Sequence, residues 1–294
     1  MKSGFVAILG RPNVGKSTII NSIVNHKVSI VTDKSQTTRN NIIGIYNGQD
    51  CQIVFVDTPG IHKPQQQLGQ ELNKMAYSAA HDVDVAILVV DASKPFGTGD
   101  QFIIDHLDIH NQPLIIVFNK IDLARLDRAE QLKQTYRNLF PKSTIVEMVA
   151  KERFNVDTLI KKVTELLPEG PEYYPAEMVS DKDEIFQIKE IIREKILKIL
   201  SEEVPHSIAI YVDNIEWEQT PIQILASIIV EKDSQKGIVI GAGGKRIKEI
   251  GSRARIDIEK LLGKHVFLEL QVKVDKDWRN EPGALRNYGY KYEK

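Results

Sequence analysis

At 294 residues, 42% hydrophobic and 27% charged, the chain has the composition of a folded water-soluble protein long enough for two domains, which excludes a disordered or fibrous polymer. A formal net charge of −1 excludes a globally basic nucleic-acid binder, so any such partner must meet a local patch. The single cysteine, Cys51, excludes an intrachain disulfide or a cysteine-built zinc site, and the longest purely apolar run, Val85 to Val90, is far below the roughly 18 residues of a membrane span.

Met1-Lys2-Ser3-Gly4 leads straight into a strand, Phe5–Leu9, with no signal-peptide pattern, so the expected compartment is the cytoplasm. Gly10-Arg11-Pro12-Asn13-Val14-Gly15-Lys16-Ser17 follows that strand and opens a helix, Ser17–Asn25. It satisfies G-x-x-x-x-G-K-[ST] in the context the motif needs. The glycines let backbone N–H groups turn inward around phosphates, and the helix N-terminus adds its dipole. Lys16 reaches the β- and γ-phosphates, the Ser17 hydroxyl ligates Mg²⁺, and Thr18 completes the cradle.

Further strands are expected at Ile42–Tyr46, Gln52–Val56, Val85–Val90, Leu114–Phe118 and Thr144–Val149. Helices are expected near Gly69–Ala80, Asp100–His110, Arg128–Phe140 and Asp157–Leu166. Apolar runs this continuous suit strands covered on both faces, hence a doubly wound, mostly parallel α/β sheet. Asp57-Thr58-Pro59-Gly60 follows the third strand, where Asp57 can hold Mg²⁺ through water and the Gly60 N–H can meet a γ-phosphate. Asn119-Lys120-Ile121-Asp122 follows Leu114–Phe118, at a strand end where open α/β sheets deliver binding residues. Asp122 can accept from the N1–H and exocyclic amine of guanine, whereas adenine would leave that carboxylate unpaired. Asn119 can bond the ring edge and hold the loop, and the Lys120 stem can cover one face of the base. Phosphate loop and base reader together imply GTP rather than ATP.

Pro168, Gly170, Pro171 and Pro175 break all periodicity between Leu167 and Asp183, placing a domain junction there. We expect a GTPase domain over residues 1–170, a linker over 171–182 and a second domain with a tail over 183–294. Ile185, Ile188, Ile192, Ile196 and Ile199 fall at helical spacing. Strands Ile208–Val212 and Pro221–Val230 follow, then a glycine cluster opening a basic helix to about Leu262, then strand His265–Val274: a small α+β domain. Val239-Ile240-Gly241-Ala242-Gly243-Gly244-Lys245-Arg246-Ile247-Lys248 fits a KH-type glycine loop, whose backbone and cations (Lys245, Arg246, Lys248) approach single-stranded RNA. From Lys236 to Lys264 eight basic residues face three acids, a net +5 in a chain whose total is −1. Ile247, Ile250, Ala254, Ile258 and Leu261 are expected to be helical core.

The phosphate loop, Gln36-Thr37-Thr38-Arg39, Asp57-Thr58-Pro59-Gly60, Asn119-Lys120-Ile121-Asp122 and the glycine loop together resemble the Era family. The resemblance covers nearly the whole chain and implies a type II KH arrangement behind the GTPase domain. It implies that Thr38 contacts Mg²⁺ and the γ-phosphate, and that Ala150 offers its N–H to the guanine O6, with Val149 where the family has serine. It implies the 3′ end of small-subunit ribosomal RNA as partner, assembly of the small ribosomal subunit as purpose, a monomer, and peripheral contact with the cell membrane. Ras-like enzymes orient water with a glutamine after Asp-x-x-Gly; Ile61 stands there and predicts slow turnover, with Lys16, Thr38 and Gly60 carrying the catalysis. Asn13 resembles the asparagine that holds K⁺ in potassium-stimulated relatives. His62 and Lys63 are expected to be solvated loop residues. Two rival readings are an RNA-binding adaptor with a structural nucleotide site and a GTPase of RNA modification.

Overall fold

The structure, a computed structural model, describes residues 1–34, 37–106, 112–200 and 204–290. Gln36 of the Thr-Thr segment and the last residues of the helix expected to reach His110 lie outside them. The first half is a six-stranded sheet in the order β2-β3-β1-β4-β5-β6. Its strands are β1 (Lys2–Gly10), β2 (Ile42–Asn47), β3 (Cys51–Asp57), β4 (Val85–Asp91), β5 (Leu114–Asn119) and β6 (Thr144–Met148). Only β2 runs antiparallel to its neighbour. Within the central strands the runs Phe5–Leu9, Ile53–Val56, Val85–Val90 and Leu114–Phe118 are continuously apolar because both faces are covered. One face carries Val6, Ile8, Phe55, Ile87 and Val117 against α1 (Lys16–Val24) and α5 (Val156–Leu166). The other carries Ala7, Leu9, Leu88, Ile116 and Phe118 against α2 (Gln67–His81), α3 (Thr98–His106) and α4 (Leu126–Leu139). Cys51 is buried in the first of these cores.

The second half begins with α6 (Glu184–Ile199), whose start is capped by Asp183 accepting from the Phe186 N–H. Strands β7 (Ala209–Glu216), β8 (Ile222–Val230) and β9 (Val266–Val274) form a sheet with β8 central, antiparallel to β7 and parallel to β9. The parallel crossover runs through α7 (Asp233–Ile240), the glycine turn and α8 (Lys245–Leu262), giving the order α-β-β-α-α-β. Ile188, Ile192 and Ile196 of α6 and Ile250, Ala254 and Ile258 of α8 pack on this sheet, which is what the three-to-four spacing of those residues dictates.

Residues 171–182 are not a free tether. The Tyr173 and Tyr174 N–H groups both donate to Gln52 Oε1, at 2.7 and 3.0 Å, and the Ile45 N–H donates to the Val179 carbonyl at 3.0 Å. The connector therefore lies along the edge of the first sheet. The tail, including α9 (Pro282–Asn287), also has a structural role. Trp278, Leu285 and Tyr290 are buried with Leu68, Leu72 and Met75 of α2 and Ala209 and Ile229 of the second sheet. That fourth core joins the two halves. Among the described residues no helix is long and apolar enough to cross a membrane.

Candidate functional site

Gly10 ends β1 and Lys16 begins α1, so the residues between them cross the carboxyl end of the sheet. A side chain at Gly15, whose φ is 104°, would strike Asn119 Nδ2. Lys16 donates to the carbonyls of Gly10 and Arg11 at 3.2 and 3.1 Å, and burial pulls its ammonium down to about 8. Nearby Asp57 offsets only part of that desolvation, and a phosphate would relieve the rest.

Behind Lys16, Asp57 is fully buried. Its Oδ2 accepts from Ser17 Oγ at 2.6 Å, Ser29 Oγ at 2.8 Å and Thr38 Oγ1 at 3.4 Å, while Oδ1 is buried with no hydrogen-bond partner. Ser17 and Thr38 hydroxyls are 2.9 Å apart. Burial pushes the Asp57 carboxyl up, against the opposing pull of Lys16 and the three hydroxyls. An unpaired oxygen on a buried carboxylate is costly, so the cluster is incomplete as protein alone. Its all-oxygen donor set fits Mg²⁺.

A cavity of about 310 Å³ opens over this cluster, lined by the phosphate loop, Ile30 to Asp33, Thr37, Thr38, Gly60 and Lys120. Gly60 is packed so closely that a Cβ would lie 2.8 Å from Pro12 Cα. On the base side, Asn119 is 3% exposed; its Nδ2 donates to the Val14 carbonyl at 2.9 Å and its Oδ1 accepts from the Ala150 N–H at 3.0 Å. Lys120 bridges the Asn13 carbonyl and Asp91 at 2.6 and 2.7 Å. Asp122 stands exposed on the 3-10 turn Ile121–Leu123.

Several expected contacts differ. The Ala150 N–H, expected to face the base, is given to Asn119. Thr58 donates to the Ile8 carbonyl at 2.7 Å, and Val14 and Pro59 are buried, so these residues shape the loops with side chains turned inward. Ile121 packs against the core under the base loop. Arg11 pairs with Asp100 at 2.9 Å, away from the phosphate cradle. Ile61 is fully buried in the α2 face of the core, with its side chain packed away from solvent. Asn13 donates to the Asp33 carbonyl at 2.9 Å.

In the second half, Gly241, Gly243 and Gly244 have φ of 72°, 58° and 76°, which lets the chain turn from α7 into α8 with its backbone outward. Lys245, Arg246 and Lys248 are exposed, although Arg246 also braces the turn by donating to the Ile238 carbonyl at 3.1 Å. Beside the turn lies a groove of about 360 Å³ between α8 and β9, with Ile247, Gly251, Leu268 and Leu270 as apolar floor and Lys248 and Arg255 as cations. β9 is an edge strand, so one row of its backbone groups faces outward.

A family model described as 50S ribosome-binding GTPase matches residues 5–120, and a KH domain model matches residues 203–279. Among solved structures, a tyrosine-to-alanine variant of Aquifex aeolicus Era bound to GDP·AlF4⁻ is 38% identical, aligned over 99% of this chain and 100% of its own, with a TM-score of 0.94. The chain belongs to the Era family. A second Era structure, in complex with MgGDPNP and nucleotides 1506–1542 of 16S ribosomal RNA, gives the same identity, coverage and TM-score. The fold is thus the Era fold, a mostly parallel GTPase domain followed by a KH domain, and the protein is an Era-type GTPase.

Two features of this Era-family chain escaped sequence reasoning. Ile247 packs against the core of the second half as expected, and it also lines the groove together with Leu268 and Leu270 of β9. Periodicity marks only which residues are apolar; that this groove stays open depends on how α8 crosses the sheet. Arg39 and Arg193 are each 1% exposed and meet at the junction of the two halves. Nothing local in sequence distinguishes a buried arginine from a solvated one.

Proposed function

We propose that this Era-family GTPase binds the 3′ end of small-subunit ribosomal RNA in its KH groove, under control of the nucleotide, and assists assembly of the small ribosomal subunit. The observation that carries this is the full-length match to an Era structure that holds both MgGDPNP and that RNA segment. GTPase domain, linker and KH domain are assigned to residues 1–170, 171–182 and 183–294.

Lys16 receives the β- and γ-phosphates, and the Gly60 N–H meets the γ-phosphate. Ser17 and Thr38 would hold Mg²⁺ directly, with Asp57 behind them. Bound there, the cation neutralises charge developing on the phosphates. Asn119 braces the phosphate loop against the base loop while Asp122 accepts from the guanine edge. Hydrolysis is slow because the residue after Gly60 is a buried isoleucine and cannot orient water. Asn13 supplies an amide oxygen beside the phosphates for K⁺, so turnover should rise in KCl relative to NaCl at matched ionic strength. Equal rates in the two salts would remove the K⁺ assignment. The basic face of α8 is also what supports peripheral contact with an anionic membrane surface.

The test is binding of 3′-end oligonucleotides of small-subunit RNA to the full chain with GDP or a non-hydrolysable GTP analogue. Tighter binding with the analogue is expected. Neutralising Lys245 and Lys248 should weaken binding and lower the salt slope by about two charges. Equal affinity in both nucleotide states removes the switch, and no binding in either removes the RNA assignment.

A further inference from the structure

Thr38 is bracketed by two contacts to the second domain. On one side, Arg39 donates to the carbonyls of His206, at 3.0 Å, and Ile208, and its guanidinium lies 5.5 Å from the centroid of the Tyr290 ring. On the other, the Thr37 carbonyl accepts from Arg193 of α6. Arg193 is itself oriented by a two-bond pair with Glu190, at 2.8 and 2.6 Å. One turn further along α6, Glu194 holds Lys27, at the other end of the same loop, at 2.7 Å. Between these anchors the Thr38 hydroxyl sits 2.9 Å from Ser17 and 3.4 Å from Asp57.

A loop without regular structure loses conformational freedom when fixed, and something must offset that loss. Here the offset comes from buried, charge-assisted hydrogen bonds that exist only while the second domain is docked. The Arg39 contacts also depend on Tyr290, which belongs to the core shared by α2 and the tail. Domain docking and Thr38 position are therefore one linked equilibrium.

We infer that Arg193 and Arg39 are positioning residues through which the docked KH domain holds Thr38 toward the cation and γ-phosphate, so that docking favours GTP over GDP. By reciprocity, GTP favours the docked arrangement over others, which gives the nucleotide its hold on the RNA-binding domain. The inference rests on the assignment of Thr38 to the cation and γ-phosphate made above.

The experiment measures the affinity of the full chain for fluorescent GDP and a non-hydrolysable GTP analogue, both with Mg²⁺. In the Glu190→Gln/Arg193→Met double variant both charges leave together, so neither is left buried and unpaired. GDP affinity should stay within about twofold while the GTP analogue binds about tenfold more weakly, within the usual range of coupling between sites. Arg193→Lys, which keeps a cation for Glu190 and a donor near Thr37, should recover most of that loss. Arg39→Gln, read the same way, serves if the double variant does not fold. Equal losses for both nucleotides, or no loss for either, overturn the inference. Thr38→Ala, run alongside, separates the two claims. Should Thr38→Ala leave both affinities unchanged, the Thr38 assignment and this inference fall together. Should it weaken only the GTP analogue while the double variant does not, this inference alone is overturned.

Discussion

Asp122→Asn should convert the protein from a guanine to a xanthine nucleotide binder. Asp122 is exposed on its 3-10 turn, and no side chain among the described residues holds it, so its carboxylate is free to take the base. Guanine presents two adjacent donors, and an ionised carboxylate accepts both; an amide can accept only one and turns a donor toward the other. Once the base covers the site, that mismatch is desolvated, and the expected loss of GTP affinity is on the order of 10³-fold, about 4 kcal/mol. Xanthine carries an oxygen in place of the exocyclic amine, which the new amide can donate to, so XTP should bind the variant better than GTP. Competition between the two nucleotides for the purified variant decides the matter, and a preference still favouring GTP would refute the base-reading role. Asn119 is the wrong residue for this test, because it ties Val14 to Ala150 and its loss would loosen the phosphate loop as well.

The second large effect is expected at Asp57. Burial raises this carboxyl above its ordinary range, with Lys16 pulling the other way. A carboxyl whose folded pKa lies above its unfolded value favours folding at acid pH, and that contribution is lost as pH rises through the folded pKa. At neutral pH the cation-free protein therefore carries a penalty that Asp57→Asn removes. The variant without nucleotide should melt no lower than the parent. With nucleotide present the order reverses, because the amide has no charge to set against Mg²⁺. Removing a carboxylate behind a bound cation typically weakens metal affinity by about 10- to 100-fold. Thermal melts with GDP, with and without Mg²⁺, should show that the cation's stabilising shift is large in the parent and nearly gone in the variant. An undiminished shift would place the cation elsewhere.

Legibility in the sequence varied by element. The chain from Gly10 to Ser17 could be read outright because the strand, the glycines and the lysine must be contiguous to build a backbone anion cradle. Helix spacing from Ile185 to Ile199 identified α6, and its apolar face does pack on the second sheet. Ile61 could be recognised as unable to orient water, but only the structure shows its side chain withdrawn into the α2 face. Ala150 was assigned from its position in a motif, whereas its N–H is engaged by a side chain 31 residues away. The tail looks like the ending of the family, but no physical role for it is legible in the sequence, since Trp278, Leu285 and Tyr290 gain meaning only from the α2 surface they cover.

The sequence by itself determined the nucleotide, the parallel sheet and the KH order, because each follows from short-range spacing along one strand, turn or helix. Only the tertiary structure decided what joins them. The phosphate loop meets Asp57, 40 residues from Ser17, and the Thr38 loop meets the second domain through Arg193, 156 residues from Thr37. Such contacts are set by how packed layers bring distant segments together, and a buried charge is identified by its surroundings rather than by its neighbours in sequence.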